Sequence, residues 1–174
     1  MTFEIHSNIT NRSMTVAARA MRRVLRRKRS IIWAIFGWSV FFINALLLIP
    51  FDGEPFTLDA STVTALLVEV MLLSVLLFRD RFNGMIACKN TLAGTKAYHF
   101  VFGEDSYTII TEVVTSTFHY ELIDALAESQ DYIIFLMKKR YAQPLDKRTL
   151  TGGTVEEFKR FLEEKTGKTF RRVK

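Results

Sequence analysis

The sequence predicts an α+β membrane protein: a two-helix transmembrane hairpin followed by a small cytosolic half-barrel closed by a C-terminal helix. Three observations predict it. Two apolar runs, 31–49 and 60–78, have the length of bilayer spans. From Tyr98 onward the chain alternates short β-branched or aromatic runs with turn residues. Near its end the apolar period switches to that of a helix.

The run 31–49 reads IIWAIFGWSVFFINALLLI and carries no charge. The run 60–78 reads ASTVTALLVEVMLLSVLLF, with Glu69 as its one charge. A hydrocarbon core of about 30 Å needs roughly 20 helical residues at ~1.5 Å rise, so both runs fit. The first run is too long and too far along the chain for the core of a cleavable leader, and none is expected.

The segment joining the runs carries Asp52, Glu54 and Asp59 and no lysine or arginine. Before the first run stand Arg12, Arg19, Arg22, Arg23, Arg26, Arg27, Lys28 and Arg29, opposed by Glu4. Arg79, Arg81 and Lys89 follow the second. Positive residues stay on the cytosolic side. The expected protein is therefore multi-pass in the cell (inner) membrane, with both termini cytoplasmic and the acidic loop outside.

Net charge is +6 and the pI about 9.6. A basic cluster can bind nucleic acid, but beside a span it sets topology and attracts anionic lipid. We expect no nucleic acid partner. The single cysteine, Cys88, permits no intrachain disulfide and fits a cytosolic domain.

Phe3-Glu-Ile-His-Ser-Asn-Ile9 has the partial alternation of a short strand, and the sequence leaves open whether it joins the cytosolic sheet. Thr10-Asn-Arg-Ser13 offers helix caps. Two glycosylation sequons begin at Asn8 and Asn11; on the cytosolic side they read as turn and capping residues. Across 13–29, Met14, Ala17, Ala18, Met21, Val24 and Leu25 recur at helical spacing between arginines. This basic amphipathic helix can lie at the membrane interface or on the soluble domain. Arg22, Arg23, Arg26, Arg27, Lys28 and Arg29 are its candidate lipid contacts.

Glu69 falls near the middle of the second span, where a charge costs about 2.5–3.5 kcal/mol. It is expected to face the other helix or another protomer. By antiparallel depth, Ser39 is the nearest polar residue of the first span, with Asn44 about a turn nearer the outside. The stretch 79–94 reads as a frayed helix and a turn.

The expected strands are 98–102, 106–110, 112–120, 125–128, 132–137 and 141–145, with a helical turn at 121–124. Thr154 and Glu157 form a capping box, Val155, Phe158, Phe161 and Leu162 give one apolar face, and Gly167 stops the helix. The chain thus divides into a strand and basic helix at 1–30, a hairpin at 31–78, a connector at 79–97 and a soluble domain at 98–174.

No P-loop, GxSxG, HExxH or CxxC pattern occurs. His6, His99 and His119 are scattered without metal-ligand spacing, and no metal or cofactor is expected. Thr151-Gly-Gly-Thr154 reads as the turn leading into the last helix; Glu156 and Glu157 oppose an anion there. Asp124, Glu128 and Asp131 sit where strands turn and read as solvated carboxylates. Lys138, Lys139 and Arg140 form a basic hairpin tip, a candidate contact for lipid headgroups or an acidic partner.

The succession Tyr98-His-Phe-Val-Phe, Ser106-Tyr-Thr-Ile109, Phe118-His-Tyr-Glu-Leu-Ile123, Asp131-Tyr-Ile-Ile-Phe-Leu136, Ala142-Gln-Pro-Leu145 and Glu156-Glu-Phe-Lys-Arg-Phe-Leu162 resembles the YcxB-like protein family. The family's Pro-Lys-Arg element reads Pro144-Leu-Asp-Lys-Arg148 here, with the basic pair two residues later. The resemblance implies two membrane spans and a C-terminal pleckstrin-homology-like (PH-like) domain, and brings no catalytic residues.

An anchor joined to a small domain without a catalytic constellation points away from an enzyme. The expected function is a non-enzymatic membrane anchor for a PH-like cytosolic module that binds a protein, a peptide or itself. The alternatives are an anionic-lipid sensor, or an accessory subunit of a transporter or envelope complex docked through Glu69.

Overall fold

The computed structural model describes residues 2–49, 59–138 and 141–173. The acidic loop at 51–58, Lys139 and Arg140 lie outside the described residues.

Strand β1 (Phe3–Asn8) leads to helix α1 (Asn11–Ala20). Thr10 caps α1 in a reciprocal box with Ser13, so the sequon residues do serve as caps. A wider π-helical turn, Met21–Leu25, joins α1 to α2 (Arg27–Leu47). After α3 (Ala60–Lys89) come β2 (Ala97–Phe102), β3 (Ser106–Ile110), β4 (Thr115–His119), β5 (Ala125–Glu128), β6 (Tyr132–Met137) and β7 (Tyr141–Asp146). Helix α4 (Val155–Thr166) and β8 (Phe170–Arg172) complete the chain.

The strands form two four-stranded sheets, ordered β1-β2-β3-β4 and β7-β6-β5-β8. All pairs are antiparallel except β5 with β8. The N-terminal strand thus joins the sheet, in register His6 opposite His99. Its odd residues Phe3 and Ile5 are buried while Glu4 and His6 face outward, as strand alternation requires.

The two sheets enclose one aromatic-rich core, including Phe100, Phe102, Tyr107, Phe135 and Leu145. Helix α4 seals it with Phe158 and Leu162; the Phe158 ring meets Phe102 edge-on at 4.8 Å. Burial pushes the Tyr107 hydroxyl up to about 12, so it stays protonated and donates to Met137 Sδ. Along one side the sheets meet at a seam. Glu4 exchanges two backbone hydrogen bonds with Thr151, at 3.2 and 2.9 Å, and Ser7 Oγ donates to the Pro144 carbonyl at 2.8 Å. Gly152, at φ +89°, lets the backbone of Thr2 approach; a Cβ there would stand 2.1 Å from the Thr2 carbonyl oxygen.

Strand β6 is buried along its full length. Ile133 and Phe135 join the aromatic core, whereas Tyr132, Ile134 and Leu136 lie under Ala17, Ala20 and Met21 of the basic helix. The basic helix thus packs on the two-sheet unit, one of the two positions open to it in sequence.

Helices α2 and α3 are long and apolar enough to cross a membrane, and their apolar residues are almost entirely unburied. The helix and turn expected over 79–94 are present, without the expected fraying. Helix α3 kinks at Phe78 (φ −104°, ψ 17°) and runs on to Lys89. The extension packs on α1: Gly84 is buried, and a Cβ on it would meet the Thr15 nitrogen at 2.5 Å. Strand β4 begins later than expected because Thr111 and Val114 close a turn by side-chain hydrogen bonds at 2.9 and 3.0 Å. The expected helical turn after β4 is a 3-10 turn at Tyr120–Leu122.

Replacing Gly84 with valine drives a side chain into the α1 backbone. Overpacking of this kind costs about 1–3 kcal/mol. The variant is expected to unfold at lower temperature than the parent in detergent, read by circular dichroism.

Candidate functional site

Two basic groups far apart in sequence converge beside the start of α2. Val24, Leu25, Arg26, Arg27, Lys28, Arg29 and Lys138 line one concavity of about 790 Å³. Lys138 reaches it from the β6–β7 turn, in left-handed backbone conformation (φ 46°). Arg23, Arg27, Lys28 and Arg29 are exposed. The rest of the expected hairpin tip, Lys139 and Arg140, falls outside the described residues.

Arg22, one of the candidate lipid contacts, pairs with α3. Its guanidinium forks onto Asp80 of α3, Nε to Oδ1 at 2.7 Å and Nη2 to Oδ2 at 2.5 Å. Arg19 approaches the same carboxylate at 3.6 Å. The Asp80 hydrogen bonds raise the Arg22 pKa further above its ordinary value. Asp80 thus fastens the basic helix to α3.

Glu69 is buried on α3, and neither carboxylate oxygen finds a hydrogen-bond partner among the described residues. The expected partners do not reach it. Ser39 is exposed, and the Asn44 amide donates to the Val40 carbonyl of its own helix at 3.0 Å. Polar residues on α2 face away because depth along a hairpin does not fix rotation about the helix axis.

A larger cleft, about 1190 Å³, opens where α1, α3 and the β7-β6-β5-β8 sheet meet. Arg12, Arg19, Arg81, Lys147, Lys159 and Arg172 converge on it from five elements, a grouping invisible in sequence. Glu128 accepts Lys147 at 2.6 Å and Lys159 at 3.0 Å, and Asp131 accepts Arg12 at 2.5 Å. These two carboxylates therefore differ from the solvated groups expected. Partial burial pushes the Glu128 pKa up, but Lys147 and Lys159 outweigh it and hold the carboxyl below its ordinary value.

On the opposite sheet, β4 carries an outer edge to which no strand among the described residues is bonded. Val113 and Val114, 62% and 52% exposed, lead into that edge. Across the sheet, Glu4, His6 and His99 stand together on the outer face. His99 Nε2 lies 3.0 Å from Glu4 Oε2, and the two imidazoles stack at 4.1 Å. Scattered in sequence, these histidines become neighbours through the pairing of β1 with β2, a signal that no local motif carries.

Residues 102–162 match the family model described as YcxB-like protein. This segment is similar to the YcxB-like family. It runs from the end of β2 through Leu162 of α4 and contains most of the two-sheet core. The apolar helices, β1 and β8 lie outside the YcxB-like match. No curated protein and no solved structure matches the chain.

Glu128 gives a pH dependence of known sign. Its folded pKa lies below the ordinary 4.5, so its ion pairs contribute stability above that pH and lose it as pH falls through the folded value. Glu128→Gln is expected to lower thermal stability at neutral pH, with the gap to the parent narrowing below about pH 4.5. A gap constant from pH 7 to pH 3 would contradict the ion-pair account.

Proposed function

We propose that this chain is a multi-pass, non-enzymatic protein of the cell membrane. Helices α2 and α3 cross the bilayer and hold a PH-like module on the cytosolic face, where it binds a protein or peptide partner. The order of elements supports the PH-like reading: four antiparallel strands, three more packed across them, and a helix sealing the open side. Arginines at the base of both apolar helices support the orientation.

The observation that carries the binding role is the open edge of β4. An exposed strand edge offers unpaired backbone donors and acceptors to an added strand, and the flanking Val113 and Val114 offer apolar contact. A photo-crosslinking residue at Thr115 on β4, compared in cells with one at Glu164 on α4, tests this. Protein adducts of defined mass are expected at Thr115 and not at Glu164. Identical patterns at both positions, or none at either, would remove the case for edge capture.

A second reading, recognition of anionic lipid, is favoured by the convergence of Lys138 with Arg26–Arg29. Each basic residue near an anionic surface contributes about 1 kcal/mol, screened by salt. The triple variant Arg27→Gln, Lys28→Gln and Arg29→Gln is expected to retain less phosphatidylglycerol than the parent through purification, as read by mass spectrometry. Equal retention, insensitive to salt, would leave the cluster as a topology signal alone.

A further inference from the structure

Glu4, His6 and His99 form a constellation that the binding role does not use. Glu4 and His6 are two apart on β1, so strand alternation puts both on the outer face. His99 stands opposite His6 in the β1–β2 register and joins them on that face. One donor atom from each residue falls within a mutual 4.8 Å. We infer that these three side chains bind a divalent first-row transition ion of the zinc class.

The donor set decides the class of ion. Two imidazole nitrogens and one carboxylate oxygen suit zinc and its neighbours, whereas calcium and magnesium require oxygen ligands. The geometry is near what such an ion needs. Ligands bound at roughly 2.0–2.2 Å stand a little over 3 Å apart around a tetrahedral centre. The His99 Nε2 to Glu4 Oε2 distance is 3.0 Å. The third ligand, His6, is exposed, and its ring hydrogen-bonds to none of the described residues. Rotation about its side-chain torsions breaks only the ring stack with His99. The site is open, so water completes the coordination.

The position gives the ion a consequence. Strands β1 and β2 flank the two apolar helices in the chain. Glu4 also bridges to Thr151 through its backbone, and the His6 N–H donates to Thr149 Oγ1, so β1 is the strand that closes the seam between the sheets. An ion held by Glu4, His6 and His99 cross-links β1 to β2 within the sheet, beside that seam. Binding confined to the folded state raises the stability of the closed domain in proportion to occupancy.

Calorimetric titration of zinc chloride into the full-length, tag-free, EDTA-stripped protein in detergent micelles tests the assignment. One saturable zinc ion per chain is expected, with no heat from magnesium or calcium at the same concentration. Outer-shell changes at zinc sites cost roughly 10–100-fold in affinity, so losing a ligand is expected to cost at least that. His6→Ala and His99→Ala should each show that loss, while His119→Ala and Cys88→Ser bind as the parent does. His99→Gln can retain a hydrogen bond to Glu4 without an imidazole, and a metal-free melt checks that it folds. Zinc should raise the melting temperature of the parent and leave that of His99→Gln unchanged. Absence of saturable binding, or binding undiminished in the His6→Ala/His99→Ala double variant, overturns the site and leaves a hydrogen-bonded pair with a stacked ring.

Discussion

Burial of β6 on both faces is the constraint on which the rest of the structure depends. A strand reading Tyr-Ile-Ile-Phe-Leu-Met cannot leave either face in water without exposing a broad apolar strip. Its inner face fills the space between the sheets. Its outer face needs a cover, and α1 supplies one with alanines that allow close approach. Once α1 lies on β6, the helix that follows it and α3, fastened through Asp80 and Gly84, are fixed relative to the sheets. The apolar hairpin and the two-sheet unit are therefore joined by packing as well as by chain connectivity.

Much of this was legible from local pattern. Strands β5 and β6 and the cap and stop of α4 fall where period and turn chemistry put them. The misses share a cause. Helix α3 runs to Lys89 without the expected fraying because its last turns rest on α1, and no local signal around Asn83 and Gly84 records that contact. Strand β8 has three residues, too few to show a period. Its support comes from parallel pairing with β5. In both cases tertiary contact overrides a weak local preference.

The site was legible only where its residues are sequence neighbours. Arg26–Arg29 announces itself as a run, and the hairpin tip as a second. The convergence of Lys138 with Arg26–Arg29 depends on the docking of β6 against the helix and could not be read in advance. Glu69 was recognisable as anomalous, but its isolation follows from helix rotation, which turns Ser39 and Asn44 away. The pairing of His6 with His99 is set by sheet register across an intervening hairpin. Separation in sequence, rather than unusual chemistry, hid it.

The place of β1 has a consequence for assembly. Strands β1 and β2 are hydrogen-bonded partners, yet both apolar helices lie between them in the chain. Whatever path those helices take, the chain must return to the side it left before the sheet can close. An even number of bilayer crossings meets that condition and an odd number does not. A chain inserted with one helix misplaced would strand β1 on the wrong side, leaving β2 an open edge and the core short of Phe3 and Ile5. With the helices crossing a bilayer as proposed, closure of the domain would act as a parity check on insertion, since β1 pairs with β2 only after both helices have been made.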